Sequence, residues 1–260
     1  MKKILYIFAA VALLLGVASC QKDKEENPEE NITTQQAGVY NPGMKISRIY
    51  RQFEDGEKEL EEIWHWNGNL LSRIDFVYDG RVSESMSYSY RGNRISRVYM
   101  NYDGYKKGLE PDSCIFKYSG DQLSTIDCYM DGKLETTFEY MYTNGKITTI
   151  YEGNRIHDYI WDGNNVVKDV WFSNLYSYDS HKNPFLGLIR NYENLGTNPS
   201  YEFLSENNVI QQQKYSKGSI QSFQCTYEYN SKGYPVKKIS TNDWGSYTNT
   251  TTTYYEYLED

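Results

Sequence analysis

The chain has little of what most catalytic readings need. Among 260 residues there are three histidines, six prolines and four cysteines. His65, His157 and His181 stand at no metal-ligand spacing such as His-Glu-x-x-His, so neither a metal nor another cofactor is expected. A nucleophile elbow, a phosphate-cradling glycine loop and an Asp-x-Asp-x-Asp-Gly calcium loop are all missing. Carboxylates are numerous, but nothing selects two of them as a glycosidase pair, and Asp79, Asp103 and Asp131 already serve as turn formers. The expectation is a protein that is not an enzyme. Basic charge is also short, with 27 Lys and Arg against 35 Asp and Glu, which excludes a basic nucleic-acid binder. Leu, Ile, Val and Phe together number only 45 among residues 20–260, a share typical of disordered chains. Tyrosine reverses that reading: with 27 Tyr and 5 Trp in the chain, large rings can build an aromatic interior, and these residues favour strands.

The one long apolar run, Ile4 to Val17, follows Lys2 and Lys3 and ends in Val17-Ala18-Ser19-Cys20. This is the charged region, short apolar region and small-residue cleavage site of an export signal over residues 1–19, too short for a membrane-spanning helix. Cys20 after two small residues resembles the lipobox of bacterial lipoproteins, in which it becomes the lipidated first residue of the mature chain. Loss of two lysines then leaves 25 basic against 35 acidic side chains. Residues 20–40 hold almost nothing to bury and read as a solvated, disordered acidic tether. Within it, Gln21-Lys22-Asp23-Lys24-Glu25-Glu26 resembles the acidic signal that sends Bacteroidetes lipoproteins to the outer face of the outer membrane.

Residues 41–260 read as one β-hairpin-repeat domain. Polar turns recur at Gly68, Gly92, Gly120, Gly145, Gly163, Asn183, Asn208 and Gly233. A second series interleaves with them, including Asp55-Gly56, Asp79-Gly80, Asp103-Gly104, Asp131-Gly132, Leu195-Gly196, Lys217-Gly218 and Trp244-Gly245. Between turns, apolar or aromatic residues alternate with polar ones, as in Met86, Tyr88 and Tyr90 against Ser85, Ser87 and Ser89. The count is about 18 strands in an all-β, antiparallel up-and-down meander, strongly curled or closed into a barrel because a long open sheet would leave bare edges. A closed barrel of that size has a lumen too wide for side chains alone, which the tyrosines could narrow. Each unit carries an aromatic-x-aromatic pair, a turn, and two aliphatics three apart. Examples are Phe116 and Tyr118 before Leu123 and Ile126, and Tyr140 and Tyr142 before Ile147 and Ile150. The interval of three breaks alternation and predicts a bulge in the second strand of each hairpin. The stretch Leu186 to Tyr201 departs most from the pattern.

These units resemble the tyrosine-aspartate repeats of bacterial shell-forming proteins. With the lipobox, they are similar to a family of Bacteroidetes lipoproteins described as having a porin-like fold. That resemblance implies a lipid-anchored, outer-membrane barrel displayed at the cell surface. Alternation alone does not say whether the wall faces lipid. Glu84 on the face of Tyr88, Lys117 on that of Ile115, an acidic carboxyl terminus and a redundant anchor favour a tethered barrel over a spanning one.

Pairing residue 116 with 126 would set Cys114 opposite Cys128, where they either form a cross-strand disulfide or remain two buried thiols; Cys225 reads as core filling. Trp64, Trp66 and Trp244 are the candidates for aromatic platforms at a barrel rim, which would stack on sugar rings. The functional expectation is a binding or accessory lipoprotein whose partner, besides the membrane, is a glycan or an envelope protein. A pore-like or scaffold component is the alternative, and a hydrolase ranks behind both.

Overall fold

The computed structural model describes residues 38–102, 111–190, 201–216, 219–243 and 247–259. The export signal, Cys20, the tether up to residue 37 and Trp244 lie outside the described residues. So do the turns expected at residues 103–104, 195–196, 217–218 and 244–245.

Sixteen strands follow one another along the chain: β1 (Ile46–Phe53), β2 (Glu59–Asn67), β3 (Leu70–Tyr78), β4 (Arg81–Arg91), β5 (Arg94–Tyr102), β6 (Ser113–Ser119), β7 (Gln122–Met130) and β8 (Lys133–Thr143), then β9 (Lys146–Glu152), β10 (Arg155–Asp162), β11 (Asn165–Asp169), β12 (Asn174–Lys182), β13 (Asn207–Ser216), β14 (Ser219–Tyr229), β15 (Pro235–Asp243) and β16 (Thr248–Tyr257). Each pairs antiparallel with its sequence neighbours, and β1 pairs with β16 from Ile46↔Tyr257 to Phe53↔Thr251, closing the barrel. Closure leaves no bare edge. The turns follow from their residues: at Asp79-Gly80 (φ 49° and 70°) and Asp131-Gly132 (50° and 73°) both positions are left-handed, the geometry that twists two strands back on each other.

The expected bulges are present. Lys117 faces Thr125 while Tyr118 faces Leu123, so Ser124 is the extra residue; Ser72, Ser96 and Thr148 occupy the same place in β3, β5 and β9. This lets both aliphatics of a unit, Leu71 and Ile74 or Leu123 and Ile126, point inward. The bulge serine bonds back across the pair, Ser72 Oγ to His65 O at 2.9 Å and Ser124 Oγ to Lys117 O at 3.0 Å.

Among the described residues there are sixteen strands rather than 18, because no strand stands between β12 and β13. The pairing runs from Asn174↔Lys214 to Lys182↔Asn207, and the described residues between the two strands, 183–190 and 201–206, turn into the barrel, the second stretch with a short helix, α1 (Tyr201–Leu204). The sequence of the first stretch shows why: Phe185-Leu186-Gly187-Leu188-Ile189 has no polar alternate, so neither face could be left to water. Phe185, Leu188, Ile189, Phe203 and Leu204 are buried in the same apolar cluster as the strand residues. The segment from Gly38 also enters the interior, with Tyr40 buried and its hydroxyl donating to Pro184 O at 2.9 Å. Gly38 (φ 80°) lies against Tyr118, where a Cβ would collide with the hydroxyl, and Ile95 N donates to Gly38 O at 2.9 Å. The interior is therefore filled by two chain segments as well as by tyrosines.

The inner face of the wall is mostly apolar and the outer face is mixed: Tyr99, Met141, Tyr151, Ile156, Ile160, Leu175 and Ile210 are exposed there among charged and polar residues. Outward-facing Lys117 pairs with Asp127, which also accepts from Thr137 Oγ1 at 2.9 Å. His65 and Arg73 meet on Asp75, Thr149 Oγ1 donates to Asp158 at 2.7 Å, and Lys237 pairs with Glu228 at 2.8 Å.

Candidate functional site

The two mouths of the barrel differ. At the mouth bearing the turns of Gly68, Gly92, Gly120, Gly145 and Gly163, the second aromatic of one unit donates to the main chain of the unit before it. Trp66 Nε1 reaches Ile46 O (2.7 Å), Tyr90 OH reaches Leu71 O (2.7 Å), Tyr118 OH reaches Ile95 O (2.7 Å) and Trp161 Nε1 reaches Ile147 O (2.8 Å). This ladder explains why a ring with a polar tip recurs at that position. Burial raises the pKa of the Tyr90, Tyr118 and Tyr142 hydroxyls, so they remain protonated. The described residues 38–45, 183–190 and 201–206 pack beneath it and fill this end of the interior.

Trp64 and Trp66 belong to that packing. Trp64 is 4% exposed and donates to Glu62 at 2.8 Å; Trp66 stacks on Tyr40 at 5.9 Å and on Trp64 at 6.4 Å. Trp64 therefore presents no open face to a sugar ring, while Trp66 stays half-buried with its ring stacked on its neighbours. A strand tryptophan beside a turn has the same alternation whether it lines a rim or a plugged interior. Cys114 and Cys128 stand directly opposite, Cα atoms 4.2 Å apart, and are joined by a disulfide; Cys225 is a buried free thiol near Ser240 Oγ (3.5 Å). His65 lies on the outer face, and His181 stacks on Tyr229 at 3.8 Å.

At the opposite mouth, polar residues take inward positions that elsewhere hold aliphatic or aromatic ones. The register aligns Tyr159, Asp169, Asn174, Lys214 and Gln221 in one row across β10 to β14. Tyr176, Gln212, Phe223, Asn242 and Asn249 form the next across β12 to β16. A cavity of about 320 Å³ is lined by Gln212, Lys214, Gln221, Phe223 and Asn242, with Lys214 Nζ 5.9 Å over the Phe172 ring. Six buried atoms at this end make no hydrogen bond: His157 Nδ1 and Nε2, Tyr159 OH, Asp169 Oδ2, Asn174 Oδ1 and Asn249 Oδ1. An atom of this kind costs about 1–3 kcal/mol in desolvation if nothing satisfies it; Tyr142 OH, His181 Nδ1 and Arg190 Nε are similarly placed toward the other end. Burial raises the pKa of the Asp169 carboxyl and lowers that of His157, favouring the uncharged form of each. Phe53, Tyr78 and Trp171 are exposed around the same end.

No protein-family model matches the chain. It is 25% identical over 178 residues to the "Probable metal-binding protein YrpE" of Bacillus subtilis (strain 168), a match covering 58% of this chain and 68% of that protein. Its structure is similar to the crystal structure of a porin-like protein from Bacteroides uniformis ATCC 8492, with a TM-score of 0.40 at 14% identity, covering 82% of this chain and 98% of that one.

The mouth residues were not singled out by sequence reasoning, yet a signal existed. His157 shares its strand parity with Tyr159 and Trp161, and Asn174 with Tyr176 and Tyr178, so each is a polar residue on an aromatic face. Such an exception marks either a buried hydrogen-bond partner or a site.

Proposed function

We propose that this chain is a lipid-anchored, outer-membrane binding protein without catalytic activity, whose ligand is a hydroxyl-rich molecule, a glycan, taken at the mouth that holds Gln212, Lys214 and Phe223. The observation that carries this reading is the juxtaposition, in the cavity there, of polar side chains with an aromatic ring. Gln212, Lys214, Gln221 and Asn242 supply donors and acceptors beside Phe223, the pairing of hydrogen bonds and a flat apolar face that a sugar ring requires. The lipobox-like Cys20 supports anchoring, and the charged residues on the outer face support a barrel that stands beside the membrane on its tether. Conduction is the weaker reading, because two chain segments and the aromatic ladder fill the other end. The acidic tether supports display at the cell surface.

The test is a glycan array with the mature chain carrying Cys20→Ala, followed by calorimetry on hits. A bound glycan whose affinity falls tenfold or more in Phe223→Ala and in Lys214→Ala supports the reading. Hits that survive both substitutions unchanged, or an array with none, overturn it.

A further inference from the structure

Below the wall of β9 to β11 lies a group of side chains that glycan capture does not use. His157 is 0% exposed, held between Trp171 (ring centroids 5.5 Å apart) and Phe172 (5.9 Å), and neither ring nitrogen makes a hydrogen bond. Glu152 lies across the tight hairpin at Gly153, with its Oε2 3.7 Å from His157 Nε2. That gap is too long for a hydrogen bond. It is close to the separation of two ligands on one ion: atoms about 2.0–2.2 Å from a tetrahedral metal stand roughly 3.3–3.6 Å from each other. Asp169, 1% exposed, is paired with Tyr159, two residues along from His157 on the same inner face. Its Oδ1 accepts from Phe172 N at 3.1 Å, and its Oδ2 is buried with no partner. Asn174, directly across from Asp169, leaves its Oδ1 unpartnered as well.

We infer that Glu152, His157 and Asp169 form a site for a divalent cation of the zinc type, with Asn174 beside it. An imidazole and two carboxylates are donors that a borderline divalent ion accepts, and a dication balances the charge of the buried Asp169 carboxylate together with that of Glu152. Among the described residues no three such side chains converge as a preformed metal cluster. Glu152 and His157 provide the near-formed pair, and the ion completes the set by drawing in Asp169 Oδ2. Arg155, now 3.4 Å from Glu152 Oε2, is exposed and free to swing toward solvent as the ion enters. The spacing of five residues between Glu152 and His157 escapes motif reading because helical metal motifs place ligands four apart, whereas a hairpin brings them together across its turn.

The test uses Zn²⁺ alone, titrated into the chelator-treated mature chain carrying Cys20→Ala. Calorimetry gives stoichiometry, and Trp171, packed on His157, gives a fluorescence readout. The expected result is one ion per chain, with affinity lowered roughly 100-fold in His157→Gln and at least tenfold in Asp169→Asn and Glu152→Gln, all three folded by circular dichroism. Cys225→Ala, which removes the free thiol, is expected to bind as the parent does. Absence of stoichiometric binding, unchanged affinity in the folded Glu152, His157 and Asp169 variants, or binding lost only with Cys225 overturns the assignment. A negative glycan array leaves this result untouched.

Discussion

Arg190→Met tests how the interior segment is held. Arg190 enters the barrel with its guanidinium 4.4 Å over the Phe185 ring, pairs with Glu62, and lies 3.7 Å from Glu202 Oε2. Burial works against its charge, but Glu62 and Glu202 outweigh that and raise its pKa above the ordinary value. Methionine keeps most of the apolar stem and removes the charge. Glu62 is then a buried carboxylate with only the Trp64 N–H as partner. Removing one member of a buried ion pair costs about 3–5 kcal/mol, because the remaining charge is left uncompensated. With an m-value of about 3 kcal/mol/M in urea, the unfolding midpoint falls by roughly 1–1.7 M. Glu62→Gln in the Arg190→Met background removes the orphaned charge and recovers half or more of the loss, since contacting residues are not additive. Urea melts followed by tryptophan fluorescence and circular dichroism read both effects. A single-variant loss below about 1 kcal/mol, or single losses that simply add in the double variant, would refute the pair's role in seating the segment.

Other outcomes follow from the same structure. Tyr118→Phe deletes the hydroxyl that bonds Ile95 O and Gly38 O, so it destabilises by about 1 kcal/mol and loosens residues 38–45, read by hydrogen exchange at Ile95. Replacing Cys114 and Cys128 together by Ala opens a closed loop of about 15 residues and lowers stability by about 3 kcal/mol, which non-reducing urea melts measure. His157 has its folded pKa lowered from 6.5, so below the unfolded value the unfolded chain binds the extra proton and stability rises with pH through that window. Melting temperature measured between pH 7 and 5 should fall less steeply in His157→Gln than in the parent; parallel curves would contradict the buried neutral ring. Asp169, its folded pKa raised, acts oppositely, so its burial penalty grows as pH rises through that raised value, and Asp169→Asn should gain stability relative to the parent toward neutral pH in melts without metal.

Much of the wall was legible because its signals are local. Asp-Gly and Asn-Gly turns fix the hairpins, period-two alternation fixes the faces, and aliphatics three apart mark the bulges at Ser72, Ser96, Ser124 and Thr148. Alternation does not say which face points inward, and so Trp64 and Trp66 could be placed at an open rim when they pack on Tyr40. The plug was hidden for a related reason. Between Asn183 and Asn208 the turn spacing continues as if two more strands were present, and only the unbroken apolar run at residues 185–189 distinguishes a segment buried on every side. The polar mouth depends on registers across β9 to β16, which bring Glu152 to His157 and Asn174 to Lys214; no linear motif encodes those pairings.

The central claim is that the barrel stands in water and is held to the membrane by its lipid alone. Expressing the full precursor with Cys20→Ala in a Gram-negative host and fractionating without detergent tests it directly. The account predicts that the variant is released as a folded, monodisperse protein into the aqueous periplasmic fraction, while the parent sediments with outer membranes and incorporates labelled lipid. A Cys20→Ala chain that stays in the membrane fraction and needs detergent for extraction would show that the wall itself contacts lipid, contradicting the account.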